Sequence, residues 1–296
     1  MNKIKTLLIL CLTLTANQVS ANLCTPDKRY IKAGYFSDDQ LQSLKDITYS
    51  KATDFLGKKQ DLKMDIYFPN KKIDKVAQRP FILLIHGGGF RGGNRDDMTD
   101  QAKDFAKRGF VVATMNYRLG FDQKDKAGLQ KAVYRAQQDS NSALAYIASQ
   151  AETLNVDTSW FFVGGGSAGA ITSLMTKYAS QSDWNKVLPQ FESKLGALKS
   201  EKSSLKQNYS IKGIYNFKGA ILPNLIISDV LIPTISFQHF HRTPATATAI
   251  LPMFVITGAI KKKVIPASRL EMSLPMDIRC VLVLEELLAR TLMILC

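Results

Sequence analysis

Ten residues, FFVGGGSAGA from Phe161 to Ala170, hold two overlapping patterns that could each do chemistry. Gly164, Gly166 and Gly169 spell G-x-G-x-x-G, in which glycines let a pyrophosphate approach a helix N-terminus. Gly165, Ser167 and Gly169 spell G-x-S-x-G, a sharp strand-to-helix turn that exposes a serine hydroxyl as a nucleophile. A second cluster, HGGGF, runs from His86 to Phe90. Three consecutive glycines let backbone N–H groups turn into a site without steric cost, where they can hold an oxyanion. Histidine, the usual proton carrier near neutral pH, occurs only at 86, 239 and 241.

Either pattern needs particular elements around it. The continuous apolar run Phe81 to Ile85 ends at HGGGF and predicts a strand buried on both faces of a parallel sheet. FVVATMNYR, from Phe110, predicts a second such strand, and SWFFVGGG, ending at Gly166, a third. Between them, Thr99 to Lys107 predicts a helix stopped by Gly109. Gly128 to Glu152 predicts a long one, with Ala132, Val133, Ala136, Ala143, Leu144 and Ile147 at helical spacing. SAGAITSLMTKYAS starts a helix directly after the third strand, and IKGIYNFKGAI and LIPTISF predict two more strands. Asp61 to Pro69 alternates and ends on proline, as an edge strand does. Asp183 to Tyr209 is polar and Lys/Ser-rich and reads as an inserted lid or surface loop. Strands alternating with helices give an α/β domain with a doubly wound, mostly parallel sheet.

These surroundings separate the two patterns. A dinucleotide fingerprint follows the first strand of its unit and wants an acid about 20 residues on, at the end of the next strand. Asp183 stands at that distance, but ASQSDWNK around it has no strand character. The serine turn needs strand, turn and helix in succession, and WFFV, GGGSAG and AITSLM supply them. Ser167 is therefore the candidate nucleophile.

Composition sets outer bounds. The chain has 296 residues, 46% of them hydrophobic, enough for one large α/β domain and too apolar for global disorder. The formal charge is +14, but the lysines are spread and no basic stripe carries interleaved aromatics, which argues against a nucleic-acid partner. Lys3 and Lys5, the apolar run Thr6 to Thr15 and the small residues Val19-Ser20-Ala21 form a secretory signal layout over residues 1–21, too short for a membrane span. The expectation is a secreted or periplasmic protein starting near Asn22, one domain over 22–296. Cys24, Cys280 and Cys296 would remain after cleavage, an odd number whose pairing stays open. No Cys-x-x-Cys or His-x-x-x-His spacing suggests a metal. Nothing in the pattern sets an oligomeric state.

HGGGF, RGFVVATMNYRL, AVYRAQQDSNSALAYI and the serine turn together resemble the α/β-hydrolase family, in particular secreted carboxylesterases and lipases of the HGGG type. The resemblance covers about residues 22–237. It implies an α/β-hydrolase fold, a small-molecule ester substrate and no metal or organic cofactor. It also implies Ser167 as nucleophile, with Gly88, Gly89 and Ala168 as oxyanion-hole N–H donors and His86 as a structural residue of the loop.

The family order continues from serine to an acid and then to a histidine. Here the stretch after Phe237 reads QHFHRTPATATA, and between Val230 and Met276 the single acid is Glu271. No histidine follows His241, so His239 or His241 is left as the candidate base. The tail 238–296 departs from the family pattern throughout, either through a shifted reading frame or as a divergent end. Loss of the acid and base would impair hydrolysis, and the alternative expectation is a non-catalytic exported protein on the same scaffold.

Overall fold

The computed structural model describes residues 28–199, 208–219 and 234–237. A short helix α1 (Lys28–Ile31) precedes β1 (Leu41–Thr53), β2 (Lys59–Pro69) and β3 (Arg79–Ile85). Helix α2 (Thr99–Ala106), β4 (Val111–Met115), α3 (Gly128–Ser149), α4 (Ala151–Leu154), β5 (Val156–Gly166) and α5 (Ala168–Tyr178) follow. The remaining elements are α6 (Gln181–Val187), α7 (Gln190–Leu195), β6 (Ile211–Phe217) and β7 (Thr234–Phe237). The strands form one sheet in the order β1-β2-β4-β3-β5-β6-β7. From β4 to β7 every pairing is parallel, and β1 and β2 join antiparallel at one side. This is the mostly parallel, doubly wound sheet of an α/β-hydrolase.

Strand β3 sits near the centre and is buried on both faces, as its unbroken apolar run requires. Phe81, Leu83 and Ile85 point to the face packed by α3 and α5. Ile82 and Leu84 point to the face packed by α2, with Met98, Phe105 and Phe110.

The edge assignment of Asp61 to Pro69 is corrected: β2 lies between β1 and β4, and its second half is buried. Proline is tolerated because Pro69 is the last residue of the strand. The true edge, β1, left no period-two signal, since register shifts after Leu44 and after Thr48 interrupt its alternation and Asp46 takes φ +57°. The single long helix expected over 128–152 is two, broken at Gln150, and the chain leaves α4 through Asn155 at φ +55°.

The polar insert is also corrected in part. Residues 181–195 fold as α6 and α7, and their Trp184 and Phe191 are fully buried. The two rings stack 5.7 Å apart, and both meet Tyr134 of α3 edge-on. The Trp184 indole N–H donates to Gln137 Oε1 at 2.7 Å. Asp183 caps α6 through the Ser180 hydroxyl and N–H, so the acid at the ribose-like spacing is a helix cap.

Candidate active site

Ser167 links the carboxyl end of β5 to the first turn of α5. Its backbone is at φ +51°, ψ −115°, off the left-handed well that non-glycine residues occasionally use. Two hydrogen bonds hold it there: its N–H donates to Phe217 O at 2.8 Å, and its carbonyl accepts from Ile171 N at 3.0 Å. The side chain stands exposed, and among the described residues its hydroxyl has no hydrogen-bond partner.

Close approach explains the glycines around it. A Cβ on Gly165 would lie 2.2 Å from Ile85 O, and one on Gly169 would lie 1.9 Å from the same oxygen. Strand β3, the turn and the start of α5 are therefore in backbone contact, and side chains at 165 or 169 would push them apart. The same packing brings the HGGG loop to the serine. A Cβ placed on Gly87 would meet Ser167 Cβ at 3.5 Å.

The loop itself turns back on Gly88. Arg91 N and Gly92 N both donate to Gly88 O, at 3.0 and 3.1 Å. Gly88, Gly89 and Phe90 take φ of +106°, +60° and +60°. Among the described residues the N–H groups of Gly88 and Gly89 meet no acceptor. Ala168 opens α5, and a first-turn N–H has no acceptor inside its own helix. Unpaired N–H groups at a helix start, with its partial positive charge, suit a developing negative charge.

His86 is buried and its ring stacks on Tyr117 at 4.5 Å. Its Nδ1 lies 2.7 Å from Gly87 O, an acceptor, so Nδ1 carries the proton. Nε2 is buried with no partner among the described residues. Burial lowers the imidazole's pKa, against weaker opposing effects of Gly87 O and Asp97. Neither ring nitrogen meets the Ser167 hydroxyl, which fits a structural residue of the loop.

Of the residues singled out from sequence, Ser167, Gly88, Gly89 and Ala168 fall on the turn, the adjacent loop and the helix start. His239 and His241 lie outside the described residues, as do residues 1–21 and all four cysteines. Sequence reasoning missed the segment Tyr117 to Phe121, expected partly as strand. It is an irregular brace against the HGGG loop, with Tyr117 Oη donating to His86 O at 3.1 Å and Gly120 N–H to Phe90 O at 2.7 Å. A signal for it exists in α3, where Arg135, Gln138 and Asp139 sit among core positions and are buried with them.

A family model described as BD-FAE matches residues 64–226, more than half of the chain. Gut esterase 1 of Caenorhabditis elegans is 33% identical over 110 residues, covering 33% of this chain and 18% of that protein. Neuroligin-like protein glit-1 of the same organism is 31% identical over 109 residues, covering 37% of this chain and 15% of that protein. The chain thus spans less than a fifth of the length of these curated relatives. Among solved structures, the apo form of Thermogutta terrifontis esterase 2 aligns at 22% identity and a TM-score of 0.44, over 62% of this chain and 57% of that one. On the family match, the chain belongs to the BD-FAE family of esterase-like α/β-hydrolases.

Proposed function

We propose that this protein is a serine carboxylic-ester hydrolase with Ser167 as nucleophile. The observation that carries the reading is the exposed Ser167 in its strained turn, beside a loop whose N–H groups are unpaired among the described residues. In the first step Oγ attacks the ester carbonyl while a base takes the hydroxyl proton. The carbonyl oxygen becomes an oxyanion and accepts hydrogen bonds from the N–H groups of Gly88, Gly89 and Ala168. Collapse of the tetrahedral intermediate expels the alcohol, protonated by the same base, and leaves an acyl ester on Ser167. Water, deprotonated by that base, then releases the acid and restores the serine. The base is His239 or His241, since His86 is stacked away on Tyr117. Short-chain acyl esters are the substrates this reading assigns.

A second reading follows from the missing acid. Between Val230 and Met276 Glu271 stands alone, and no histidine follows His241. Without a positioned base and acid, serine is a weak nucleophile, and only about 10³–10⁴-fold acceleration over water survives from the oxyanion hole and binding. The chain would then be a non-catalytic scaffold. Hydrolysis of p-nitrophenyl acetate separates the two. Turnover that rises through a pKa near 6.5, disappears in Ser167→Ala and disappears in His239→Ala or His241→Ala supports the hydrolase. Rates equal in wild type and Ser167→Ala support the scaffold.

A further inference from the structure

The HGGG loop is held from outside by a brace whose anchor is in helix α3, away from the serine turn. Gly120 is its hub. Its N–H donates to Phe90 O at 2.7 Å, and its carbonyl accepts from Arg135 Nη2 at 2.8 Å. Its φ is +93°, and a Cβ there would lie 2.2 Å from the Phe55 ring, so the residue is clamped from three sides. Two positions earlier, Arg118 is fixed to α3. Its Nε, Nη2 and backbone N–H all reach the Asp139 carboxylate, at 2.7 to 3.0 Å. Next along the chain, the Arg91 guanidinium lies over the Phe121 ring, 4.8 Å from its centre.

The charges in this brace are not balanced locally. Arg118 and Asp139 neutralise each other, and Arg135 is a further buried cation whose Nε has no partner among the described residues. Burial and the neighbouring Arg118 both lower its pKa, so the fold retains this guanidinium against a desolvation cost. The hydrogen bond to Gly120 O is the interaction that its position serves. Inside the loop, Gly88 O closes the turn over Arg91 and Gly92, so the turn is tied within itself and its direction is set by what holds its two ends. Tyr117 Oη on His86 O fixes one end, and Gly120 N–H on Phe90 O fixes the other.

We propose that Arg135 is a positioning residue for the oxyanion loop: through Gly120 and Phe90 it sets the direction of the Gly88 and Gly89 N–H groups. The inference rests on the ester-hydrolase reading. A misplacement of about 1 Å in such a group costs up to about 100-fold in rate. Removing Arg135 leaves a neutral Arg118–Asp139 pair, so the fold tolerates the change better than it would tolerate loss of Asp139.

The test uses the full chain and two readouts. In Arg135→Met, hydrogen–deuterium exchange of the peptide over 86–93 should rise at least about 10-fold, because Gly120, whose N–H holds Phe90 O, loses the hydrogen bond that fixes its carbonyl. Labelling of Ser167 by a biotinylated alkyl fluorophosphonate, in which Oγ displaces fluoride, should slow by at least about 10-fold. Arg135→Lys, which can still donate to Gly120 O, should recover most of both. Gln137→Leu loosens the same helix at the Trp184 contact and should leave both unchanged. Should Arg135→Met fail to fold, Gly120→Ala, which perturbs the hub from the Phe55 side, should give the same rise in exchange and the same slowing of labelling. Slowed labelling with unaltered exchange, or normal labelling in Arg135→Met, overturns the inference alone. Wild type that never labels at Ser167 overturns the hydrolase reading and this inference with it.

Discussion

Replacing Ser167 by glycine should stabilise the protein. The residue is at φ +51°, ψ −115°, a conformation in which a Cβ is strained and glycine is not. Holding a non-glycine residue in such a region costs about 1–3 kcal/mol. Glycine returns about 0.5–1 kcal/mol of that through its more disordered unfolded state. The hydroxyl contributes little, being exposed and without a partner among the described residues. The net gain is about 0–2.5 kcal/mol, centred near 1, or a rise in Tm of up to roughly 10 °C for a domain of this size. Ser167→Ala is the necessary control: it deletes the same hydroxyl and keeps the Cβ, so its Tm should stay within about 2 °C of wild type. Calorimetric scans of the three proteins at one pH and scan rate decide the matter. A glycine variant that melts at or below the alanine variant would show that the turn is not strained, and the argument for a serine forced into this conformation would fall. Strain at a position whose side chain has no hydrogen-bond partner among the described residues is stability given up for exposure of that side chain.

Trp184→Ala should lower Tm by roughly 6–20 °C, from about 3–5 kcal/mol for an emptied aromatic site, with Gln137 Oε1 left unpaired; a shift under 3 °C would mean α6 and α7 are a detachable flap. The lowered pKa of buried His86 gives a pH dependence. The unfolded chain takes up the proton near pH 6.5 and the folded one only below that, so stability falls as pH drops through 6.5. Urea midpoints at pH 8 and pH 5.5 should therefore differ more for wild type than for His86→Gln, and an equal loss in both would contradict the assignment. For export, which we propose from the signal layout, N-terminal sequencing of the mature chain should begin near Asn22, and a start upstream of Leu12 would rule it out.

The candidate site was legible because its chemistry is local. A serine flanked by glycines two residues away on each side, between an apolar run and a helix, can be recognised without knowing what packs on it, and the same holds for HGGGF after β3. The buried strands were legible for a related reason, since a strand covered on both faces must be apolar throughout. Elements whose pattern is broken or borrowed were not. Strand β1 hides its alternation behind two register shifts, and β2 resembled an edge because its proline marks the strand's end and says nothing about its neighbours. The insert read as surface because most of its residues are polar, yet Trp184 and Phe191 decide its fate by filling a space that only α3 provides. Sequence likewise marks Gly165 and Gly169 as glycines, but the reason is the Ile85 carbonyl, 80 or more residues away along the chain. The brace from Asp139 and Arg135 through Gly120 to Phe90 shows in the sequence only as polar residues at core positions of α3, and their partners are not legible there, because each link is a hydrogen bond between segments brought together by folding. Residue types thus specified what could react, and the meeting of distant backbone segments fixed how it is held.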